Sequence, residues 1–276
     1  MSLLDVILNL VALLFWIRSR APSAGRSRLS LLSALKPTER SRARWIWWGA
    51  LAALILLRAL FYRHLGAPMD WRPRISVGAI VLTFRSDLFG RMLLFSVSSF
   101  VFTLLVFYFW LLLFSVVNAR LSNSDAIQKR VREHLGPLER WPLVIRILAP
   151  LLLAAACWIL FHPWLARAGI VPAASWPSLF KQGAIIGAAA YLTWKYVIAG
   201  VLVLYVAGSY VYFGHWHVLT YINLTARTLL RPLRWIPLRW ARVDFAPLVM
   251  IALIFLGAEL GEKMLARLYQ HFCLGH

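Results

Sequence analysis

The stretch Met92–Val117, MLLFSVSSFVFTLLVFYFWLLLFSVV, decides the fold. It contains no charged residue, and about 20 apolar residues are enough for a helix to cross the ~30 Å hydrocarbon core of a bilayer. The whole chain of 276 residues is 61% hydrophobic and 14% charged, whereas soluble domains are about 45–50% apolar and ~25% charged. We therefore predict an all-α, polytopic transmembrane protein.

Five further apolar stretches approach or reach spanning length, which gives about six predicted spans. They are Leu3–Ile17, Trp45–Tyr62, Arg146–Leu165, Ala184–Phe213 and Phe245–Leu265. We expect the first to be a retained span, because basic residues follow it, whereas in a signal peptide they precede the apolar region. The run that begins at Ala184 would be about 45 Å long as a helix, so we expect it to tilt or to project from the bilayer.

Basic residues distinguish the two sides of the membrane. Residues 18–44, 118–146 and 215–243 hold eight, six and five Lys/Arg, against five, two and two in residues 61–91, 162–182 and the tail after 262. The positive-inside rule places the first three loops in the cytoplasm. The apolar segment Ile75–Phe84 is too short to span, and we expect it to be re-entrant or interfacial.

Several functional classes are disfavoured by the sequence. The net charge of +20 does not indicate nucleic-acid binding, because most basic residues punctuate apolar runs and do not form one solvated face. Cys157 and Cys273 lack CxxC spacing, and no Cys/His set is typical of a zinc site. Walker, GxSxG and HExxH motifs do not occur. We therefore expect a protein that is not an enzyme and that has no metal or cofactor.

Two of the basic loops share a pattern at an offset of 95 residues. Pro137-Leu-Glu-Arg-Trp-Pro142-Leu matches Pro232-Leu-Arg-Trp-Ile-Pro237-Leu, and an Ala-Pro-Leu sequence follows each. The repeated unit is a span, a basic amphipathic stretch, a proline-containing turn and a second span. We predict three parts: an N-terminal helical hairpin with an external loop in residues 1–90, a degenerate first repeat in 91–180 and a second repeat in 181–276.

The stretch before the second proline turn has helical amphipathic spacing. An apolar side opposes a polar side: Leu219, Ile222, Ala226 and Leu229 against Thr220, Asn223, Arg227 and Arg231. Such a helix is expected to lie in the membrane interface. The arginines of this loop can each contact anionic lipid with ~1 kcal/mol, or they serve only to set topology, and both interpretations stay open: Arg227, Arg231, Arg234 and Arg242.

These residues also carry a family resemblance. Leu229-Leu-Arg-Pro-Leu-Arg-Trp-Ile-Pro237, followed by Val243-Asp-Phe-Ala-Pro-Leu248, resembles the signature of the YggT family of membrane proteins. Members carry two copies of a span–loop–span unit, here about residues 95–165 and 195–265. The resemblance implies a bacterial cytoplasmic membrane protein. Bacterial members are associated with osmotic or ion tolerance and with genes of cell division, and chloroplast relatives with haem attachment in a photosynthetic complex and with organisation of the nucleoid or division site.

The resemblance favours a non-enzymatic scaffold or assembly factor that contacts other membrane proteins, or further copies of itself, in a bilayer with anionic lipid. Two alternatives stay open: an ion or osmolyte permeation component, and an accessory subunit of a redox or photosynthetic membrane complex. Within the motif, Pro232, Pro237 and Pro247 mark the turn and the start of the last span. Asp244 is expected to cap that helix, and it could also pair with a loop arginine.

Ionisable residues inside predicted spans are candidate functional residues, because each costs ~2.5–3.5 kcal/mol at a helix centre. There are four: Arg58, Lys195, Glu259 and Glu262. Arg58 and Glu259 would each lie about 20 Å from the cytoplasmic start of their span. We therefore hypothesise that they pair, with Lys195 near the level of Glu262. The alternative is snorkelling towards the interface or a local contact between Glu259 and Lys263.

Small residues suggest one site of close helix packing. Gly183-Ala-Ile-Ile-Gly187 begins the long fifth predicted span. Glycines four residues apart leave a smooth surface on which another helix can approach closely. Since glycine is also common in membrane helices generally, a role in packing is one of two interpretations.

Overall fold

A computed structural model describes residues 3–20, 38–66, 72–78, 80–119, 126–210, 217–235, 239–240 and 243–274. The α-helices are α1 Leu3–Arg20, α2 Thr38–Gly66, α3 Phe89–Val117, α4 Ala126–Leu135, α5 Leu143–Arg167, α6 Trp176–Ala190, α7 Trp194–Tyr210, α8 His217–Leu229 and α9 Ala246–Tyr269. Three-ten turns cover Gly136–Arg140, Tyr191–Thr193 and Arg231–Trp235, and a π-helical turn covers Gln270–Leu274. The prediction of an all-α protein is confirmed.

Four helical runs among the described residues are long and apolar enough to cross a membrane. They are Arg44–Gly66, Phe89–Val117, Leu143–Arg167 and Trp176–Ser209. The other two predicted spans correspond to α1 and α9, in which every stretch of 18 residues holds at least three charged side chains: these come from Asp5, Arg18 and Arg20 in α1, and from Glu259, Glu262, Lys263 and Arg267 in α9. The protein is therefore a helical membrane protein with four such helices in its described part.

The long fifth predicted span begins earlier than its hydropathy suggested. The helix starts at Trp176 and not at Ala184. Ser175 precedes it with extended backbone (φ −70°, ψ 156°), and Pro177 lies in the first turn, where its missing N–H costs nothing. Lys181 lies inside the added turns, which is why an apolar run alone did not include them.

The apolar segment Ile75–Phe84 forms a β-hairpin. Strands β1 (Arg74–Val77) and β2 (Ile80–Thr83) pair in a two-stranded sheet. Gly78 lies in the turn with φ +59°, a conformation that favours glycine. The N–H of Phe84 donates to the carbonyl of Pro73 at 3.0 Å. A second antiparallel pair, β3 (Arg239–Trp240) with β4 (Val243–Asp244), precedes α9.

The chain divides into two compact units. The first comprises Met1–Ser76 and Val81–Leu105, and the second comprises Val77–Ile80 and Val106–His276. In the first unit, α1, α2 and α3 bury a small apolar cluster: Ala12, Leu51 and Phe100. In the second, α7 and α8 bury another: Val201, Leu202, Ala226 and Leu230. The three-part division expected from the repeat stays a prediction.

Candidate functional site

A buried polar cluster lies inside the first unit, and Arg58 is at its centre. The Arg58 side chain is 4% exposed. Its Nη2 lies 2.8 Å from Oδ1 of Asp5, and its Nη1 donates to Oδ1 of Asn9 at 2.7 Å. The hydroxyl of Tyr62 donates to the same Asp5 oxygen at 2.7 Å. The amide of Asn9 donates to Oγ of Ser99 at 2.9 Å, so the network joins α1, α2 and α3.

Helical spacing explains why these side chains meet. Asp5 and Asn9 are four residues apart on α1, and Arg58 and Tyr62 are four residues apart on α2. Residues at this spacing lie on the same face of a helix. Two short polar faces on otherwise apolar helices therefore oppose each other, and the small serine on α3 leaves room for them.

Aromatic rings complete the surroundings of the Arg58 guanidinium. The Cζ atom of Arg58 lies 5.4 Å from the ring centroid of Tyr62 and 5.2 Å from that of Phe95, and these distances are typical of cation–π contacts. Asp5 is buried as well, with 3% of its side chain exposed. Because both charges are removed from solvent, their attraction offsets part of the cost of burying them. The cluster therefore acts chemically as an internal ion pair that locks three helices.

This arrangement corrects the hypothesised pair of Arg58 with Glu259. Arg58 binds Asp5, and Glu259 binds Lys263 on its own helix at 2.8 Å. The depth of a residue along its helix fixes a height in the membrane but not a neighbour, and a nearer carboxylate was available. Asp5 was missed because it lies near the start of its predicted span. Its spacing to Asn9 was the available signal.

A second ion pair between helices lies in the second unit. Lys195, at the start of α7, donates to Oε1 of Glu262 on α9 at 2.5 Å. The lysine side chain is 13% exposed and that of Glu262 is 51% exposed. The ammonium also lies 5.1 Å from the ring centroid of Tyr196. The structure thus brings together two of the four predicted intramembrane charges, and their pair ties α7 to α9.

The Lys195 pair adjoins an interruption in the long helical run Trp176–Ser209. Residues Tyr191–Thr193 form a three-ten turn between α6 and α7. Two indole N–H groups hold this turn to α3: Trp110 donates to the carbonyl of Thr193 at 3.3 Å, and Trp194 donates to the carbonyl of Phe109 at 3.1 Å. The hydroxyl of Tyr191 donates to the carbonyl of Ile147 on α5 at 2.6 Å. A mid-helix three-ten turn often marks a strained or functional position.

Glu139 organises the loop between α3 and α5. Its Oε1 lies 3.3 Å from Nε of Arg132 and 3.1 Å from Nη1 of Arg146. The hydroxyl of Ser115, near the end of α3, donates to its Oε2 at 2.5 Å and accepts from Arg146 at 2.9 Å. One carboxylate therefore fixes the three-ten turn Gly136–Arg140 against the ends of three helices.

The amphipathic helices of the two loops contact each other through buried polar groups. The hydroxyl of Tyr221 on α8 donates to Oε1 of Gln128 on α4 at 2.8 Å. The amide of Asn118, just after α3, donates to Oγ1 of Thr225 at 2.8 Å. Buried hydrogen bonds thus join α8 both to α4 and to the end of α3.

The YggT-like motif is described only in part. Arg227, Arg231 and Pro232 are exposed, whereas Pro247 is buried in the first turn of α9. The N-cap of α9 is Phe245, one residue after Asp244, and Phe245 provides no side-chain cap. Because the Asp244 side chain lies outside the described residues, capping by its carboxylate stays a prediction. The remaining parts of the motif lie outside the described residues: the side chains of Arg234 and Asp244, and all of Pro237 and Arg242.

The glycine pair predicted for close packing faces a neighbour within the chain. A Cβ added to Gly187 would lie 2.5 Å from the carbonyl oxygen of Leu151 on α5. One added to Gly183 would lie 3.5 Å from the carbonyl oxygen of Ala155. The glycines therefore let α6 approach the backbone of α5, and their contact is intramolecular.

Comparisons with known proteins add no relative. No family model matches the chain, and neither a similar curated protein nor a similar solved structure is found. Among the described residues, no group of three or more His, Cys, Asp or Glu side chains is arranged to hold a metal ion.

Proposed function

We propose that the protein is a non-enzymatic scaffold or assembly factor of the YggT type in the bacterial cytoplasmic membrane. In this proposal, α1 and α9 complete a set of about six spans, and the basic loops face the cytoplasm. The protein holds a membrane protein partner, or a second copy of itself, through the lipid-facing surface of its helices.

The observation that carries the proposal is an exposed ion pair on an apolar helix face. Glu259 and Lys263 of α9 pair at 2.8 Å, with 61% and 64% of their side chains exposed. The adjacent Leu256, Leu260 and Met264 are exposed as well. Charges that face lipid are costly, whereas polar side chains between membrane helices contribute to association. A partner helix seated on α9 would cover both the apolar residues and the pair.

The remaining intramembrane charges support a structural role. Arg58 and Lys195 each bind a carboxylate within their own unit. Their pairs link α1 to α2 and α7 to α9, so the cost of each charge is offset by helix assembly and not by contact with a permeating ion. Helices joined by internal ion pairs, together with an exposed ion pair on an apolar face of α9, suit a protein that positions others.

The loop structure supports the resemblance to a two-copy family. The three-ten turns Gly136–Arg140 and Arg231–Trp235 have equal length and lie at the same 95-residue offset as the proline motifs. Each follows an amphipathic helix, α4 or α8. The order helix, three-ten turn and apolar helix occurs in both halves, as a duplicated unit would require.

Purification of the tagged protein from native membranes in a mild detergent, followed by quantitative mass spectrometry, tests the proposal. We expect a membrane protein at a fixed ratio to the tagged chain. Replacement of Glu259 and Lys263 by leucine should remove this membrane protein from the purified sample, because the polar contact is lost while the apolar face is kept.

The matched control replaces an exposed pair elsewhere, Arg85 and Asp87, which lie 3.0 Å apart with 64% and 47% of their side chains exposed. The control should retain the partner. Equal retention by both variants would refute the assignment to α9.

One observation favours permeation as a second candidate function. The three-ten turn Tyr191–Thr193 interrupts an apolar run, and Lys195 follows it directly. Transporters place substrate and ion sites at interrupted membrane helices. Flux through proteoliposomes of the purified protein, abolished by Lys195→Met, would favour permeation over the scaffold. The scaffold proposal expects no flux above that of protein-free vesicles.

A further inference from the structure

The loop between α3 and α5 contains an open basic groove. Its volume is about 470 Å³, within the range of ligand sites. Six residues from α4 and the following three-ten turn line it: Lys129, Arg132, Glu133, Gly136, Pro137 and Arg140. Three of these side chains are basic and one is acidic, so the groove is electropositive and suits an anion.

Contacts beside the groove hold its three-ten turn in place. Oε1 of Glu139, within that turn, lies 3.1 Å from Nη1 of Arg146, and its Oε2 accepts a hydrogen bond from the hydroxyl of Ser115. Nε of Arg132 lies 3.3 Å from Oε1 of Glu139, and this ion pair places the Arg132 side chain where it lines the groove. Gly136 has φ +57°, and a Cβ built on it meets nothing within 4 Å, so the space above the turn is open.

The surroundings of the groove point to a lipid rather than a free anion. Trp141 follows the three-ten turn with 42% exposure, and Leu143 and Val144 of α5 come next with 46% and 66% exposure. Exposed tryptophan is typical of the headgroup level, with apolar residues towards the acyl chains. An anion in the groove would thus lie beside a surface that accepts hydrocarbon, which a phospholipid supplies in one molecule.

We propose that this groove binds the phosphate headgroup of an anionic phospholipid. Lys129 of α4 and Arg140 of the three-ten turn contact the phosphate, Arg132 contributes a third positive charge, and the acyl chains lie along the start of α5 beyond Trp141. Glu133 opposes binding by repelling the phosphate. Lipid binding in this groove does not depend on a partner on α9. The groove lies in the loop between α3 and α5 and is separate from the arginines of the loop before α9.

Binding of phosphatidylglycerol to the delipidated full chain, measured by native mass spectrometry against phosphatidylcholine, tests the proposal. Lys129→Ala combined with Arg140→Ala should weaken phosphatidylglycerol binding about thirtyfold, the factor that two contacts of ~1 kcal/mol each provide. The matched control is Arg130→Ala, which removes an exposed basic residue of α4 that does not line the groove. The control should change affinity less than the roughly fivefold that one direct contact of ~1 kcal/mol provides.

If the double variant folds poorly, a variant that is expected to bind phosphatidylglycerol more tightly keeps the test decisive. Glu133→Gln removes the one acidic side chain of the groove and should tighten phosphatidylglycerol binding severalfold. Inorganic phosphate is the second probe, and it should fail to displace the lipid at millimolar concentration. Equal losses in the double variant and the Arg130 control, no gain in Glu133→Gln, or full displacement by inorganic phosphate would each overturn the proposal.

Discussion

Replacement of Arg58 by methionine would remove the centre of the buried cluster in the first unit. Methionine keeps a long, flexible apolar side chain but donates no hydrogen bond. Asp5 would lose its ion pair at 2.8 Å, and Asn9 would lose the donor to its side-chain oxygen at 2.7 Å. The hydroxyl of Tyr62 would still donate to Asp5. A carboxylate with 3% side-chain exposure would then lose its ion pair with Arg58.

The expected cost follows from the loss of that buried ion pair. Removal of one partner of a buried ion pair costs roughly 3–5 kcal/mol, and a destabilisation of 1 kcal/mol lowers Tm by about 2–4 °C in a protein of this size. We therefore expect Arg58→Met to lower the apparent Tm by about 6–20 °C. The double variant Asp5→Leu/Arg58→Met should be closer to the wild type than Arg58→Met is, because it removes both charges together.

Thermal unfolding of the purified protein in detergent, followed by intrinsic tryptophan fluorescence, measures this effect. Arg63→Met is the matched control, because Arg63 lies on the same helix and is exposed. It should shift the apparent Tm by no more than about 2 °C, the range of ordinary surface substitutions. Equal shifts for Arg58→Met and Arg63→Met, or a double variant that loses as much as the sum of its singles, would refute the buried pair.

Three further substitutions, two of them with a control variant, test the second unit by the same unfolding assay. Gly187→Ala should lower the apparent Tm, because the added Cβ lies 2.5 Å from a carbonyl of α5, whereas Gly200→Ala fills open space and should leave the apparent Tm unchanged or raise it; equal values would contradict the close approach of α6. Glu139→Gln should lower the free energy of unfolding by about 1–3 kcal/mol, since two arginines lose the negative charge of Glu139. Asp87→Asn, at an exposed pair, should lower it by under about 1 kcal/mol. The reverse order would refute the role of Glu139. Trp194→Phe should cost about 1 kcal/mol through the lost indole hydrogen bond, and an unchanged Tm would show that the three-ten turn does not depend on it.

The apolar runs of the sequence predicted the helices well, because hydrocarbon requires about 20 apolar residues and internally satisfied backbone hydrogen bonds. Four of the six predicted spans correspond to helices that meet the length and composition of a membrane span. The hairpin was not predicted. Gly78 interrupts the apolar segment Ile75–Phe84 at a position that a turn requires, and this was the available signal.

The partners of the intramembrane charges were harder to predict than the charges themselves. Depth placed Lys195 near the level of Glu262, and the structure joins them. The same argument failed for Arg58, since many residues share one height and only helix packing decides which are neighbours. Polar residues four apart, such as Asp5 with Asn9, carry information about helix faces that depth lacks.

The most direct test of the scaffold proposal is photo-crosslinking in native membranes from a single position on α9. A photoreactive amino acid at Leu260, which is 54% exposed beside the Glu259–Lys263 pair, is compared with one at Leu160 of α5, which is 69% exposed. We predict a discrete crosslinked membrane protein, or a crosslinked dimer of this chain, from position 260 and lipid adducts alone from position 160. Lipid adducts alone from both positions would contradict the proposal.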